Sequence, residues 1–283
     1  MSPPADQSAD VAVIGGSGFY EFLADVTEVE VDTPYGAPSA PVSLGTLDLD
    51  GEGGVGADAG ARSVAFLPRH GAGHAYPAHR VNYRANLWAL RALGVRQVIA
   101  PCAVGSLRPE LGPGTVVVPD QLVDRTSSRV QTYFDEGACH VGFADPYCGR
   151  LRQHVLGASR AGGQDVVDGG AMVVIEGPRF STRAESQWYA AQGWSLVNMT
   201  GHPEAVLARE LALCYCAVAL VTDLDAGLET GQGVDQAEVF RVFAENTERL
   251  RVLLRSVAAS APVDRDCQCS HALDGMTLPV ELP

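Results

Sequence analysis

The chain has 283 residues, 46% of them apolar and 19% charged, with a formal net charge of −14, a size and balance that fit one large α/β core or two small ones. A pI near 4.8 sets a mean field that repels phosphate polymers, which excludes nucleic acid and anionic membranes as partners but leaves room for a small anion held by a local cationic cluster. No apolar run reaches the roughly 18 uncharged residues of a membrane span, and the Met-Ser-Pro-Pro-Ala-Asp start lacks a basic-then-apolar signal, so a soluble, cytoplasmic protein is expected.

The chain alternates between two patterns. VAVIGGSGFY is an apolar run ending in glycines, which predicts a buried first strand and a tight loop at Gly15-Gly16-Ser17-Gly18. Residues 50–61 (DGEGGVGADAGA) read as a glycine-rich surface insertion between strands. SVAFL reads as a strand, NYRANLWALRALG as a helix stopped by glycine, and VRQVIAPCAVGS as a strand followed by a loop from Pro101 to Ser106. GTVVVPD and AMVVIEGP are further strands; RAESQWYAAQG and PEAVLARELAL are helices. CYCAVALVTDLD reads as a long buried strand and DQAEVFRVFAENTERLRVLLRSVA as a long terminal helix. The alternation predicts an α/β fold with one mixed, mostly parallel central sheet flanked by helices. Neither repeats nor a linker interrupt it, so a single domain over residues 1–283 is expected.

The charged residues narrow the chemistry. All 20 basic residues are arginine, which removes a P-loop lysine, Schiff-base chemistry and a lysine base together. Arg69, His70, His74, His79, Arg80 and Arg84 crowd into one short stretch of this acidic chain. The seven cysteines (Cys102, Cys139, Cys148, Cys214, Cys216, Cys267, Cys269) are dispersed or spaced C-x-C. That is not the C-x-x-C zinc or redox pattern, so reduced thiols are expected; a disulfide tying the terminal C-Q-C to the core stays an open alternative.

In α/β sheets, ligands sit off the carboxyl ends of strands. Four such ends carry suitable groups: the Ser17 glycine turn, a possible anion nest; Arg69-His70-Gly71; Cys102-Ala103 and the residues after them; and Met199-Thr200. An arginine, hydroxyls and loop amides converging there would make a site for one phosphate ion. Asp223 and Asp225 close a buried strand, where carboxylates are costly unless a ligand, a strand or water meets them. A solvated turn is the alternative for that pair.

These segments together resemble the 5′-methylthioadenosine phosphorylase branch of the trimeric purine nucleoside phosphorylase family. The matching stretches include VIGGSGFY, VDTPYGAPS, RHGAGH, HRVNYRANLWALRALG, AVGSLRPELGPGTVVVPDQLVDRT, IEGPRFSTRAES, NMTGHPEAVLARE and TDLDAG, in family order across residues 11–257. The resemblance implies reversible phosphorolysis of an adenine nucleoside, without cofactor or metal, with inorganic phosphate as co-substrate. It also implies a homotrimer, with the tail after residue 258 or the His140 loop at a subunit interface.

By the same resemblance, Ser17, Arg69, His70, Cys102, the Ala103 backbone and Thr200 bind phosphate. Cys102 departs from the family, which usually offers a threonine hydroxyl there; a thiol is the poorer donor. Met199 is expected on the ribose, Phe180 and Ser181 beside the purine, and His140, Val239 and Phe240 around the 5′ substituent. Asp223, with Asp225 nearby, is expected to assist departure of the base. His74 matches no ligand, and His79, Arg80 and Arg84 fit structural pairs or steering. Gln236 stands three residues before Val239: either both face the pocket, which favours tolerance of adenosine, or the helix starts differently and Gln236 faces solvent. The intact phosphate set argues against a nucleosidase, and the two aspartates argue against a 6-oxopurine phosphorylase.

Overall fold

The computed structural model describes residues 7–16, 23, 26–47, 61–226 and 233–283. Its strands are β1 (Val11–Gly15), β2 (Thr27–Val29), β3 (Val42–Leu47), β4 (Arg62–Pro68), β5 (Gln97–Ser106), β6 (Val116–Val118), β7 (Gln121–Arg125), β8 (Val166–Asp168), β9 (Ala171–Ile175), β10 (Leu196–Asn198) and β11 (Cys214–Leu224). The helices are α1 (Tyr83–Ala92), α2 (Gly149–Ala161), α3 (Arg183–Ala191), α4 (Gly201–Glu210) and α5 (Gln236–Ser260).

All the strands join one sheet. Parallel pairing joins β1 to β4 and β5, β5 to β11, β9 to β7 and β10, and β6 to β8, whereas β2–β3, β3–β4, β5–β10 and β6–β11 are antiparallel. The sheet is therefore mixed and mostly parallel, as expected.

Strand side chains alternate between faces, and the central strands put apolar groups on both. Ala12 and Ile14 of β1 and Tyr215, Ala217, Ala219 and Val221 of β11 meet α1 and α4 on one face. Val11, Val13, Cys214, Cys216, Val218 and Leu220 meet α2 and α5 on the other. This double burial explains why these strands read as continuous apolar runs. The helix starts follow capping chemistry. Asn82 accepts from the Ala85 N–H at the start of α1. Thr182 and Glu185 close a reciprocal capping box on α3.

One local expectation is overturned. Pro101–Ser106, read as a loop, continues β5 as a strand of 10 residues. β11 runs parallel beside it as far as Leu224↔Ser106, and β10 closes on its other side at Gly105 and Ser106. Pairing on both edges outweighs the breaking tendency of Pro101, which forfeits only one donor. β2, β7 and β8 are short or mostly exposed, and α2 contains glycines; none of these was anticipated, whereas β3 and β4 are the strands expected on either side of residues 50–61, most of which lie outside the described residues.

Candidate active site

The carboxyl ends of β5, β10 and β11 and the first two turns of α5 enclose a cavity of about 390 Å³, within the usual range for a small-molecule site. Arg69, His70, Cys102, Ala103 and Thr200 line one part of it. Phe180, Ser181, Met199, Asp223 and Asp225 line another, and Gln236, Val239 and Phe240 line a third. The fold thus gathers residues from Gly16 to Phe243 of the sequence. Ser17 lies outside the described residues. His140 is exposed in the segment between β7 and α2 and does not line the cavity of its own chain. Its neighbour Cys139 packs on Met276 of the tail, so that segment is held on the outer surface rather than over the site.

Arg69 is 2% exposed, yet its fork is already occupied. Nε and Nη2 donate to the two Glu204 carboxylate oxygens at 2.7 and 2.8 Å, and Nη1 donates to the Pro101 carbonyl at 3.1 Å. The Tyr215 hydroxyl donates to the same carboxylate at 2.8 Å. Burial works against the Arg69 charge, but Glu204 outweighs it and holds the guanidinium protonated beyond its ordinary range. The bidentate face expected to meet an oxyanion is therefore structural, and one N–H on each Nη remains.

Within the cationic pool read in residues 69–84, burial favours the neutral form of two histidines, His70 and His74. His70 is pushed down to about 4, by burial and then by Arg69. Its Nδ1 lies 2.8 Å from the Tyr76 carbonyl, an acceptor, so Nδ1 carries the proton and Nε2 is left with a lone pair. His74 stacks on it with centroids 4.1 Å apart. Arg84 pairs with Asp135 at 2.8 Å and covers the Tyr35 ring. Like His79 and Arg80, it is absent from the cavity lining. Burial pushes the Cys102 thiol up to about 12, so it stays a weak neutral donor.

Thr200 stands at the N-cap position of α4 without a side-chain capping bond of its own, and Asn198 takes that role. Asn198 Oδ1 accepts from the Thr200 and Gly201 N–H groups at 2.7 and 2.6 Å and from the Thr200 hydroxyl at 3.4 Å. Asn198 thereby fixes the loop that presents Met199. The two aspartates lie over β5 where Gly105 leaves room. A Cβ there would sit 3.1 Å from Asp223 Oδ1 and 3.3 Å from Asp225 Oδ1. Asp225 accepts from the Ser186 hydroxyl at 2.6 Å, and Asp223 from the Thr222 hydroxyl at 2.8 Å. Burial, reinforced by Asp225, raises the Asp223 carboxyl to about 6. The buried Ser181 hydroxyl has no partner among the described residues, and the Phe180 ring beside it is 37% exposed.

Glu204 and Ser186 shape this site without having been picked out from the sequence, and Asn198 and Gly105, which lie in the strand-end stretches singled out there, had been given no role of their own. Glu204 reads as an ordinary helix carboxylate in PEAVLARE. Only the fold shows that a residue 135 positions from Arg69 neutralises it.

An α/β protein with a nucleoside-sized cavity off its parallel strands, a buried arginine on one side and a raised carboxyl on the other, belongs among small-molecule enzymes of the doubly covered sheet class. More specifically, the family model of the Phosphorylase superfamily matches residues 10–259, and the chain belongs to that superfamily. It is 60% identical over 275 residues to an S-methyl-5′-thioadenosine phosphorylase of Mycobacterium tuberculosis, covering 96% of this chain and 97% of that protein. It is 58% identical over 286 residues to a purine nucleoside phosphorylase of Streptomyces coelicolor, covering 97% and 98%. The methylthioadenosine phosphorylase of Schistosoma mansoni in complex with adenine superposes with a TM-score of 0.82 at 35% identity, covering 91% of this chain and 93% of the other.

Proposed function

We propose that the protein cleaves 5′-methylthioadenosine with inorganic phosphate, giving adenine and 5-methylthioribose 1-phosphate, with Asp223 serving the leaving base. The observation that carries this reading is the Asp223 carboxyl, raised to about 6 in a cavity it shares with an exposed aromatic ring and an unpartnered hydroxyl. A carboxyl titrating there keeps its proton roughly a tenth of the time at pH 7. It can donate that proton to a purine nitrogen as the base departs, or accept from a 6-amino group. The relatives named for methylthioadenosine, and the adenine-bound Schistosoma mansoni structure, support an adenine nucleoside as substrate.

The C–N bond to the base breaks first, its electron pair leaving with the purine, and the sugar gains oxocarbenium character. Phosphate stabilises that cation and then bonds to C1′ through one oxygen. The remaining Arg69 N–H groups, the Thr200 hydroxyl and the Ala103 backbone are its ligands, with Ser17 completing the set. Neutral His70 offers Nε2 as an acceptor, which suits a protonated phosphate oxygen and not a bare one. Phe180 stacks on the purine, Ser181 bonds its edge, and Met199 contacts the ribose. No cofactor or metal takes part at the cavity, and the enzyme acts as a homotrimer. The exposed His140 segment and the tail it touches fit contact with a neighbouring subunit, where His140 would complete the 5′ pocket.

The test is adenine release from 5′-methylthioadenosine with and without phosphate. Release that ignores phosphate would make the protein a nucleosidase, and a preference for methylthioinosine would overturn the role of Asp223. A second reading, adenosine as an equal substrate, rests on Gln236 bordering the cavity. Comparing kcat/KM for adenosine and 5′-methylthioadenosine decides between them.

A further inference from the structure

The amino ends of the same strands hold a second cluster, unrelated to the cavity. Cys148, immediately before α2, Cys214, the first residue of β11, and Cys267 and Cys269 of the tail bring their four sulfurs within 4.8 Å of one another. Cys214 and Cys267 lie 3.3 Å apart. Each sulfur lies within 4.8 Å of the other three. Three of the four are buried, and Cys267 is half-buried.

We propose that these four cysteines form a structural tetrathiolate zinc site that fastens the carboxyl-terminal tail to the core. Sulfurs about 2.3 Å from a tetrahedral zinc lie about 3.8 Å apart, between the closest contact observed and the outer limit of the cluster. Two disulfides would sort the sulfurs into exclusive pairs, yet every sulfur stands within 4.8 Å of all three others. A C-x-C pair with two distant cysteines escapes the usual C-x-x-C pattern, which is why the sequence led to the opposite expectation of no metal.

The surroundings are suited to the charge of such a site. Zinc binding releases four thiol protons and leaves a net charge of −2 on the metal and its four thiolates. Arg150 stands beside the cluster, with Nη2 3.8 Å from Cys214 Sγ and 2.6 Å from Gln97 Oε1. Its Nε and Nη1 are buried and have no hydrogen-bond partner among the described residues. Cys148 Sγ caps α2 and accepts from the Leu151 N–H at 3.5 Å, at the end of the helix that favours negative charge. A half-buried arginine with two buried nitrogens short of acceptors among the described residues, and a helix amino terminus, are outer contacts that suit a dianionic thiolate centre.

The site would be structural. Cys214 and Asp223 stand at opposite ends of β11, nine residues and roughly 30 Å apart at ordinary strand rise. The tail is already drawn to this end of the sheet: Arg265 donates to the Arg96 and Ala212 carbonyls at 3.1 and 2.8 Å, and Gln97 to the Pro262 carbonyl at 2.8 Å. A metal would lock the short turn Gln268–His271 against α2 and β11.

The full-length protein, purified under reducing conditions without chelator, is expected to carry about one zinc per chain by mass-spectrometric metal analysis. Cys148→Ser and Cys269→Ser should lose it, whereas Cys139→Ser, outside the cluster, should keep it. Should the serine variants fail to fold, cobalt(II) added to metal-free wild-type protein should give the thiolate-to-metal charge-transfer band and intense visible absorption of a tetrahedral thiolate centre. Metal removal should lower the unfolding temperature. Protein that takes up neither zinc nor cobalt, disulfides among these cysteines in anaerobically prepared protein, or full zinc content in Cys269→Ser would each overturn the proposal.

Discussion

Around Arg69 the strong polar groups are partnered: three guanidinium nitrogens, both Glu204 oxygens and the Tyr215 hydroxyl are engaged with one another or with the Pro101 carbonyl. Around Asp223 the same cavity is built the other way. One carboxyl is raised to about 6, a buried hydroxyl lacks a partner among the described residues, and an aromatic ring stands open. Charge on the first side is part of the fold; on the second it is held at a cost until a ligand arrives. Substitutions on the first side should therefore cost stability as well as phosphate use, and those on the second mainly catalysis.

The largest effect is expected from Arg69→Ala. Deleting one member of a buried ion pair strands Glu204 and should destabilise the protein by about 3–5 kcal/mol, read from urea or thermal unfolding. The same change should raise the KM for phosphate. The double variant Arg69→Ala/Glu204→Gln removes the stranded charge, so it should recover much of the stability while phosphate use stays impaired. Wild-type unfolding in the single variant would break the comparison, because Arg69 would then be a ligand group with no structural role.

Asp223→Asn should behave in the opposite way. Its kcat/KM for 5′-methylthioadenosine should fall about 10²–10⁴-fold, the usual worth of a general acid or base, with no loss of stability at pH 7. The amide can donate to O6, so relative activity on 6-oxopurine nucleosides should rise. The carboxyl titrates near 6 in the fold and near 3.9 in an unfolded chain, so the native state binds this proton more tightly. The Asp223 contribution to stability is therefore present below about 4 and is lost as pH rises through about 6, on the order of 3 kcal/mol, while His70, held down to about 4 by burial, contributes an opposite slope in the same window. Because His70 titrates alike in both proteins, the difference in unfolding free energy between wild type and Asp223→Asn across that window should carry the Asp223 slope; a difference flat with pH would place the raised carboxyl elsewhere.

A milder change tests how the aspartates are placed. Gly105→Ala puts a methyl group 3.1 Å from Asp223 Oδ1 and 3.3 Å from the Asp225 side chain. The carboxylates must shift, and displacement of a catalytic group costs about ten- to a hundredfold in rate. Activity should fall further than stability, which overpacking lowers by roughly 1–3 kcal/mol. Unchanged kcat would show that the aspartates do not need their present position.

What could be read from the sequence depends on range. β1, α1, α3 and β11 were legible because burial period and caps are local: Thr182 and Glu185 stand three residues apart, and Val11–Gly15 is buried throughout. The identities of residues bordering the cavity were legible through ordered motifs. Their charge state was not. Glu204 neutralises Arg69 from 135 positions away, and burial turns His70 neutral. Pro101–Ser106 misled for the same reason, since its strand geometry is imposed by β10 and β11 from about a hundred residues downstream. The four clustered cysteines, spread from 148 to 269, are the clearest case of a feature that only the fold assembles.

The smallest effect, and the finest division of the cavity, concerns Gln236. It is the first residue of α5 and shares a stripe with Val239, Phe240 and Phe243, at i, i+3, i+4 and i+7, all bordering the cavity. Yet Gln236 is exposed, so both sequence readings hold in part: the residue reaches the cavity and keeps contact with water. A fully buried amide facing a methylthio group would forfeit a hydrogen bond; a hydrated one loses much less, which leaves 5′-methylthioadenosine a good substrate. A 5′-hydroxyl would gain a partner in the same amide. Replacing Gln236 by Val removes that partner and adds apolar surface. The ratio of kcat/KM for adenosine over 5′-methylthioadenosine should then fall by roughly three- to tenfold, about 1 kcal/mol of discrimination. Stability should scarcely change, because Asp235, not Gln236, caps the helix by accepting from the Ala237 N–H at 2.9 Å. A ratio unmoved by the substitution would assign recognition of the 5′ group to Val239 and Phe240 alone.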